Sequence, residues 1–188
     1  YAAAAGEALG GAVAALVVAA IAVLGFAGVV DVPGFSAADP AADPAAVDAP
    51  GDPDMAGELS LAAVESEYLD AIDELRSEEG RVGLERELNL DDVAAVYNKR
   101  RVDAVVGDGN PPTESDITDL LDESCRSGVL VPRFVLTGEV NDATEAGEQL
   151  ANRTSGSAGP LLDERYETVG VDVHAASGTL YSSVLACE

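Results

Sequence analysis

The chain has 188 residues, 47% of them hydrophobic, enough for one ordinary domain plus additional segments. Thirty-five acidic side chains against ten basic ones give a net charge of −25, which excludes a nucleic-acid binder because the phosphate backbone would be repelled. Such a charge destabilises a compact state by self-repulsion, a cost that about 1 M salt removes by shortening the Debye length to about 3 Å. Acidity spread over the whole chain is expected of a protein from a halophile, although an ordinary soluble acidic protein shares it.

Residues 1–30 carry one charged side chain, Glu7. Residues 8–30 are uncharged and mostly Ala, Val, Leu, Ile and Gly. As a helix they would span about 34 Å, enough to cross a bilayer core, and a helix apolar all round must be buried in lipid or protein. The candidate assembly residues are Glu7, Gly6, Gly10, Gly11, Leu16, Ile21, Leu24 and Phe26. Small residues let helices approach closely, and Gly6 with Gly10 forms a small-xxx-small pair. The sequence opens at Tyr1 without Met, and no Lys or Arg precedes Arg76. A signal anchor keeps cations on its cytoplasmic flank, so the expectation is that a charged leader is removed just before the helix. In this, and in a single early acid within an apolar helix, the segment resembles type IV pilins and archaellins. That resemblance implies self-association through the helix, after residence in the membrane, with Glu7 meeting a neighbouring subunit's terminal amine. A plain membrane anchor is the competing reading.

Residues 31–60 hold five of the nine prolines, six Asp and one Glu. Proline removes donors and fixes φ, so no helix is expected. The segment reads as an extended, solvated spacer of tens of ångströms.

Residues 61–188 read as the globular domain, with net charge −17. Leu61, Val64, Tyr68, Ile72 and Leu75 recur at helical spacing and predict a helix ending near Gly80. A second helix is expected over 90–106, with Asn89 as N-cap and Asp91 and Asp92 in its first turn. Thr113 and Asp116 form a capping-box pattern for a short helix through Ile117, Leu120 and Leu121. The period then changes to that of strands over 129–140, 166–175 and 179–186, the last two joined by a Ser177-Gly178 turn, with one helix over 143–152. This order argues an α+β layered domain.

The run Thr154 to Val173 (TSGSAGPLLDERYETVGVDV) resembles the segment SPGHRxNLLDPRYTHVGVGV of the CAP superfamily, the cysteine-rich secretory, antigen 5 and pathogenesis-related proteins. Leu69 to Leu84 resembles that family's first helix, LxxINxERxxxGL, and Gly138-Glu139 its GEN element. The resemblance implies an α-β-α sandwich with a small antiparallel sheet. It also implies a dismantled metal cleft. In that register Ser157 occupies one cleft histidine, Tyr97 or Asn98 the other, and Glu139 alone keeps a cleft acid. No catalytic residue, metal or cofactor is therefore expected, and a fold by itself establishes no activity.

Other constellations are weaker. Cys125 and Cys187 are expected as an extracellular disulfide, with two buried thiols as the alternative. Asn152-Arg153-Thr154 fits the glycosylation acceptor pattern at Asn152. Ser124, Ser127, Ser155 and Ser157 with His174 could offer a nucleophile and base, but His174 beside a turn reads as a surface residue. Lys99-Arg100-Arg101 is expected to pair with acids such as Asp103, or to form a docking patch. Glu78-Glu79 and Asp91-Asp92 lack calcium-loop spacing and read as solvated faces. Together these features predict a structural subunit of an extracellular, type IV pilus-like filament of a halophilic archaeon, displaying a non-catalytic CAP-like domain for adhesion. The alternative is a single-pass membrane-anchored surface binding protein.

Overall fold

The computed structural model describes residues 30–33, 42–118, 120, 121, 125, 127–155 and 159–188. The expected apolar helix, with Glu7, Gly6, Gly10, Gly11, Leu16, Ile21, Leu24 and Phe26, lies outside the described residues except for its last residue, Val30, and Ser157 lies outside them too.

Among the described residues, strands and α-helices follow in chain order: β1 (Val30–Pro33), β2 (Met55–Ala56), β3 (Leu59–Ser60), α1 (Leu61–Glu78), β4 (Glu85–Arg86), α2 (Leu88–Val106), α3 (Glu114–Thr118), β5 (Ser127–Leu136), α4 (Ala143–Ser155), β6 (Thr168–Ala176) and β7 (Thr179–Cys187). The main sheet has the order β1-β5-β7-β6-β4 and is antiparallel except for the β4–β6 pair. β2 and β3 form a separate small hairpin.

β6 and β7 alternate as period-2 patterning requires, but both faces are covered, so every residue of β7 is buried. Val169, Val171 and Val173 of β6 pack with Val184 and Ala186 of β7 against Val64, Tyr68 and Ile72 of α1 and Leu150 of α4. The opposite face carries Leu130 and Leu185 against Leu90, Val93 and Ala94 of α2. Each buried Val, Leu or Ile among these contributes roughly 1.5–3 kcal/mol. The result is an α-β-α sandwich, as expected. The Ser177-Gly178 turn also forms, with φ of 50° and 76°, the two positive values that a tight two-residue hairpin requires.

α2 begins at Leu88 rather than Leu90, and Glu87 rather than Asn89 is its N-cap residue. The first turn is held instead by Gly170 of β6: a Cβ there would lie 2.0 Å from the Leu90 carbonyl carbon. Only glycine lets the helix backbone approach the strand so closely. Beside α3, the Thr113 amide and hydroxyl both donate to the Asp116 carboxylate, at 2.7 and 2.6 Å, so the capping pattern forms.

The described part of the expected spacer differs from expectation. Together with Val30, which was expected to end the apolar helix, Asp31–Pro33 adds a strand to the sheet edge at β5, and 42–54 lies along the domain. Asp43 caps a short 3₁₀ turn, Pro44–Ala46. Ala42 is buried beside the α2 core, and Val47 and Ala49 pack against the domain. Asp52 exchanges both backbone hydrogen bonds with Ala175, at 2.8 and 3.0 Å. The Pro/Asp composition predicted no helix, and Pro44–Ala46 nevertheless forms a single 3₁₀ turn. The composition could not show that small apolar residues between the acids find a groove.

Candidate functional site

Asn98, one of the two residues in the register of a cleft histidine, is fully buried beneath α2. Its amide donates to the Asp172 carboxylate and to the Tyr181 carbonyl, both at 2.8 Å, and its Oδ1 accepts from the Ser183 hydroxyl at 3.2 Å. Burial raises the Asp172 carboxyl to about 6 against the pull of Asn98 and Lys99. A neutral amide sealed into this network pins helix to sheet. Tyr97 is half-buried beside the same core, and burial pushes its hydroxyl up. Glu139 sits exposed in a 3₁₀ turn after β5, where its carbonyl accepts from Gln149. Among the described residues no group of three or more His, Cys, Asp or Glu could hold a metal ion.

The outer edge of β6 carries a second cluster. The Asp91 carboxylate accepts from the Val171 amide at 2.8 Å, and the Glu65 carboxylate from the Val173 amide at 3.1 Å. Asp91 comes from α2 and Glu65 from α1, so the two reach around the edge from opposite faces. Arg86 of β4 bridges them, with Nη2 2.8 Å from Glu65 and Nε 2.9 Å from Asp91. Burial raises the Glu65 carboxyl, opposed by its hydrogen bond from Arg86. With the β4 pairing at Val169 and the Asp52 carbonyl on the Ala175 amide, the exposed edge of β6 is covered along its length. An open strand edge invites pairing with another chain, and here carboxylates blunt it.

The cationic run turns inward, which departs from the docking-patch reading, although one of its cations does find an acid. Lys99 donates to the Pro44 carbonyl at 2.7 Å, Arg100 pairs with Asp116 at 2.9 Å, and Arg101 donates to the Arg133 and Ser182 carbonyls. The Arg101 guanidinium also lies 5.5 Å from the Tyr181 ring centroid, and burial lowers it to about 10. Arg76, which composition cannot distinguish from a surface cation, is 2% exposed. It donates to the carbonyls of Val82, Leu161, Asp163 and Tyr166, so a planar five-donor fork staples three segments together.

His174 is buried, not a surface residue. The side chains of Ser124, Ser155 and Ser157 lie outside the described residues, and Ser127 stands near the opposite end of the sheet from His174. Ser127, the one of these four serines whose side chain is described, is therefore not brought to that histidine. Cys125 and Cys187 form a disulfide, with Cα atoms 5.2 Å apart, that ties the segment before β5 to the end of β7. Asn152 is exposed on α4.

Neither a family model nor a curated protein matches this chain. Among solved structures, an outer surface protein from Borrelia burgdorferi is similar, with a TM-score of 0.53 at 13% identity over 71% of this chain and 98% of that one. A cysteine-rich secretory protein from Staphylococcus aureus gives 0.42 at 17% identity, over 71% of this chain and 40% of its own length. The first likeness shows that the sandwich is a fold already seen in another protein.

Proposed function

We propose that this chain is a structural subunit of an extracellular, type IV pilus-like filament of a halophile. Residues 1–29 pack among copies of themselves, after passing through the membrane, and the sandwich is displayed outside as a non-catalytic CAP-like domain for adhesion. The observation that carries this reading is the uncharged stretch 8–30 with Glu7 just before it, followed by a domain of net charge −17. A stretch apolar on every side has to be buried, and its glycines and alanines suit close helix packing. Three features support an inert outer module: the sealed Asn98–Asp172 network, the Cys125–Cys187 disulfide and the fold shared with a protein named for the outer surface. The strong acidity supports both a saline environment and the absence of a nucleic-acid partner.

The length of the same stretch also fits a single-pass anchor holding a surface binding domain. Electron microscopy of the full chain separates the two readings. Long assemblies, absent from a chain shortened to begin at Val30, support the filament. A full chain that remains monomeric in detergent-free high salt overturns it.

A further inference from the structure

The sequence holds one lysine and one histidine, and both are spent on the same segment. Lys99 of α2 donates to the Pro44 carbonyl at 2.7 Å, and His174 of β6 meets the Pro50 carbonyl at 2.9 Å through Nε2. Between and beyond these anchors, Ala42, Val47 and Ala49 fill apolar ground on the α2 face, and Asp52 zips onto Ala175. We propose that residues 42–54 are a releasable strap, docked by Lys99 and His174, which lifts off the domain in acid when the His174 ring takes a second proton.

The geometry sets the direction. A carbonyl can only accept, so Nε2 carries the proton in the docked state and Nδ1 is the basic nitrogen. Nδ1 is buried and has no hydrogen-bond partner among the described residues. A proton added there creates a buried cation with an unsatisfied donor. The charged and titratable groups around the ring come from four elements. Lys99 on α2 repels the imidazolium, and Asp52 on the strap attracts it. Asp172 precedes it on β6, and Tyr181 faces it across β7 beneath the Arg101 guanidinium. Burial outweighs the attractions, so the docked ring titrates below its ordinary range. Asp52 does not act as the trigger, because amides of Asp54 and Met55 hold its carboxylate ionised. The strap is independent of whether the chain assembles.

Hydrogen exchange of the full chain in detergent and high salt tests this. Protection of residues 44–54, corrected for the intrinsic pH dependence of exchange, should fall about tenfold between pH 7.5 and 5.5, while β7 stays protected. His174→Gln keeps a donor for Pro50 but cannot titrate, and should hold the strap docked across that range. Lys99→Met should lower protection at every pH and keep the pH dependence. The lone imidazole also gives an assignment-free NMR titration, so a variant that fails to fold does not end the test. Imidazole titration coinciding with strap opening supports the proposal. Titration without opening, or an unchanged fall in His174→Gln, overturns it.

Discussion

Asn98 and Asp172 meet at 2.8 Å under α2, where the amide of one and the carboxyl of the other close the space between helix and sheet. The pair makes the protein pH-sensitive in a definite direction. The folded-state value of Asp172, about 6, lies above its ordinary 3.8. Its contribution to stability is therefore complete below the ordinary value and is lost as pH rises through about 6. Asp172→Asn, which keeps an acceptor for Asn98, should match the parent near pH 4 and melt at higher temperature at pH 8. Thermal unfolding across that range checks this, and a variant less stable at pH 8 contradicts it.

Asp91 gives a different kind of test. Its carboxylate satisfies the Val171 amide and one side of Arg86. Asp91→Ala leaves a part-buried donor without its acceptor, so a loss of about 1–3 kcal/mol is expected in denaturant unfolding. Because the β6 edge is then less covered, concentration-dependent association should increase in size-exclusion chromatography of the same variant.

Gly170 permits that arrangement by letting α2 lie on β6. A methyl group there meets Leu90 backbone at 2.0 Å, and backbone cannot rotate aside as a side-chain tip would. Gly170→Ala should destabilise the fold by about 3 kcal/mol, at the upper end of ordinary overpacking costs. Guanidinium titration of the purified protein reads this directly.

The Cys125–Cys187 bridge closes a loop with a sequence separation of 62. Loop-closure entropy assigns it about 4 kcal/mol. Reduction, or a Cys125→Ser/Cys187→Ser pair of substitutions, should lower the unfolding temperature, and an intact-mass shift on alkylation only after reduction reports the bond itself.

The elements legible in the sequence were those specified locally. Val64, Tyr68 and Ile72 recur at helical spacing and do face the core. Ser177-Gly178 supplies the two positive φ values of its hairpin, and Thr113 with Asp116 spells its own cap. What could not be read depends on partners far along the chain. β4 is two polar residues, Glu85 and Arg86, and is a strand only because Thr168 and Val169 lie beside it. The burial of Arg76 follows from carbonyls up to 90 positions away, and that of His174 from Pro50, 124 positions away. Sequence reasoning assigned the acidic clusters and the imidazole to solvent by default, and residues 31–60 to solvent by their charge. The signal that distinguishes them is scarcity: an acidic chain with a single lysine and a single histidine uses both internally.

Burial of residues 1–29 among copies of this chain, with the sandwich outside, is the central claim. Electron microscopy of surface material from cells making the full chain tests it most directly. Filaments with a helical apolar core and a globular density on each subunit are the predicted result. Single copies held separately in a bilayer would contradict it.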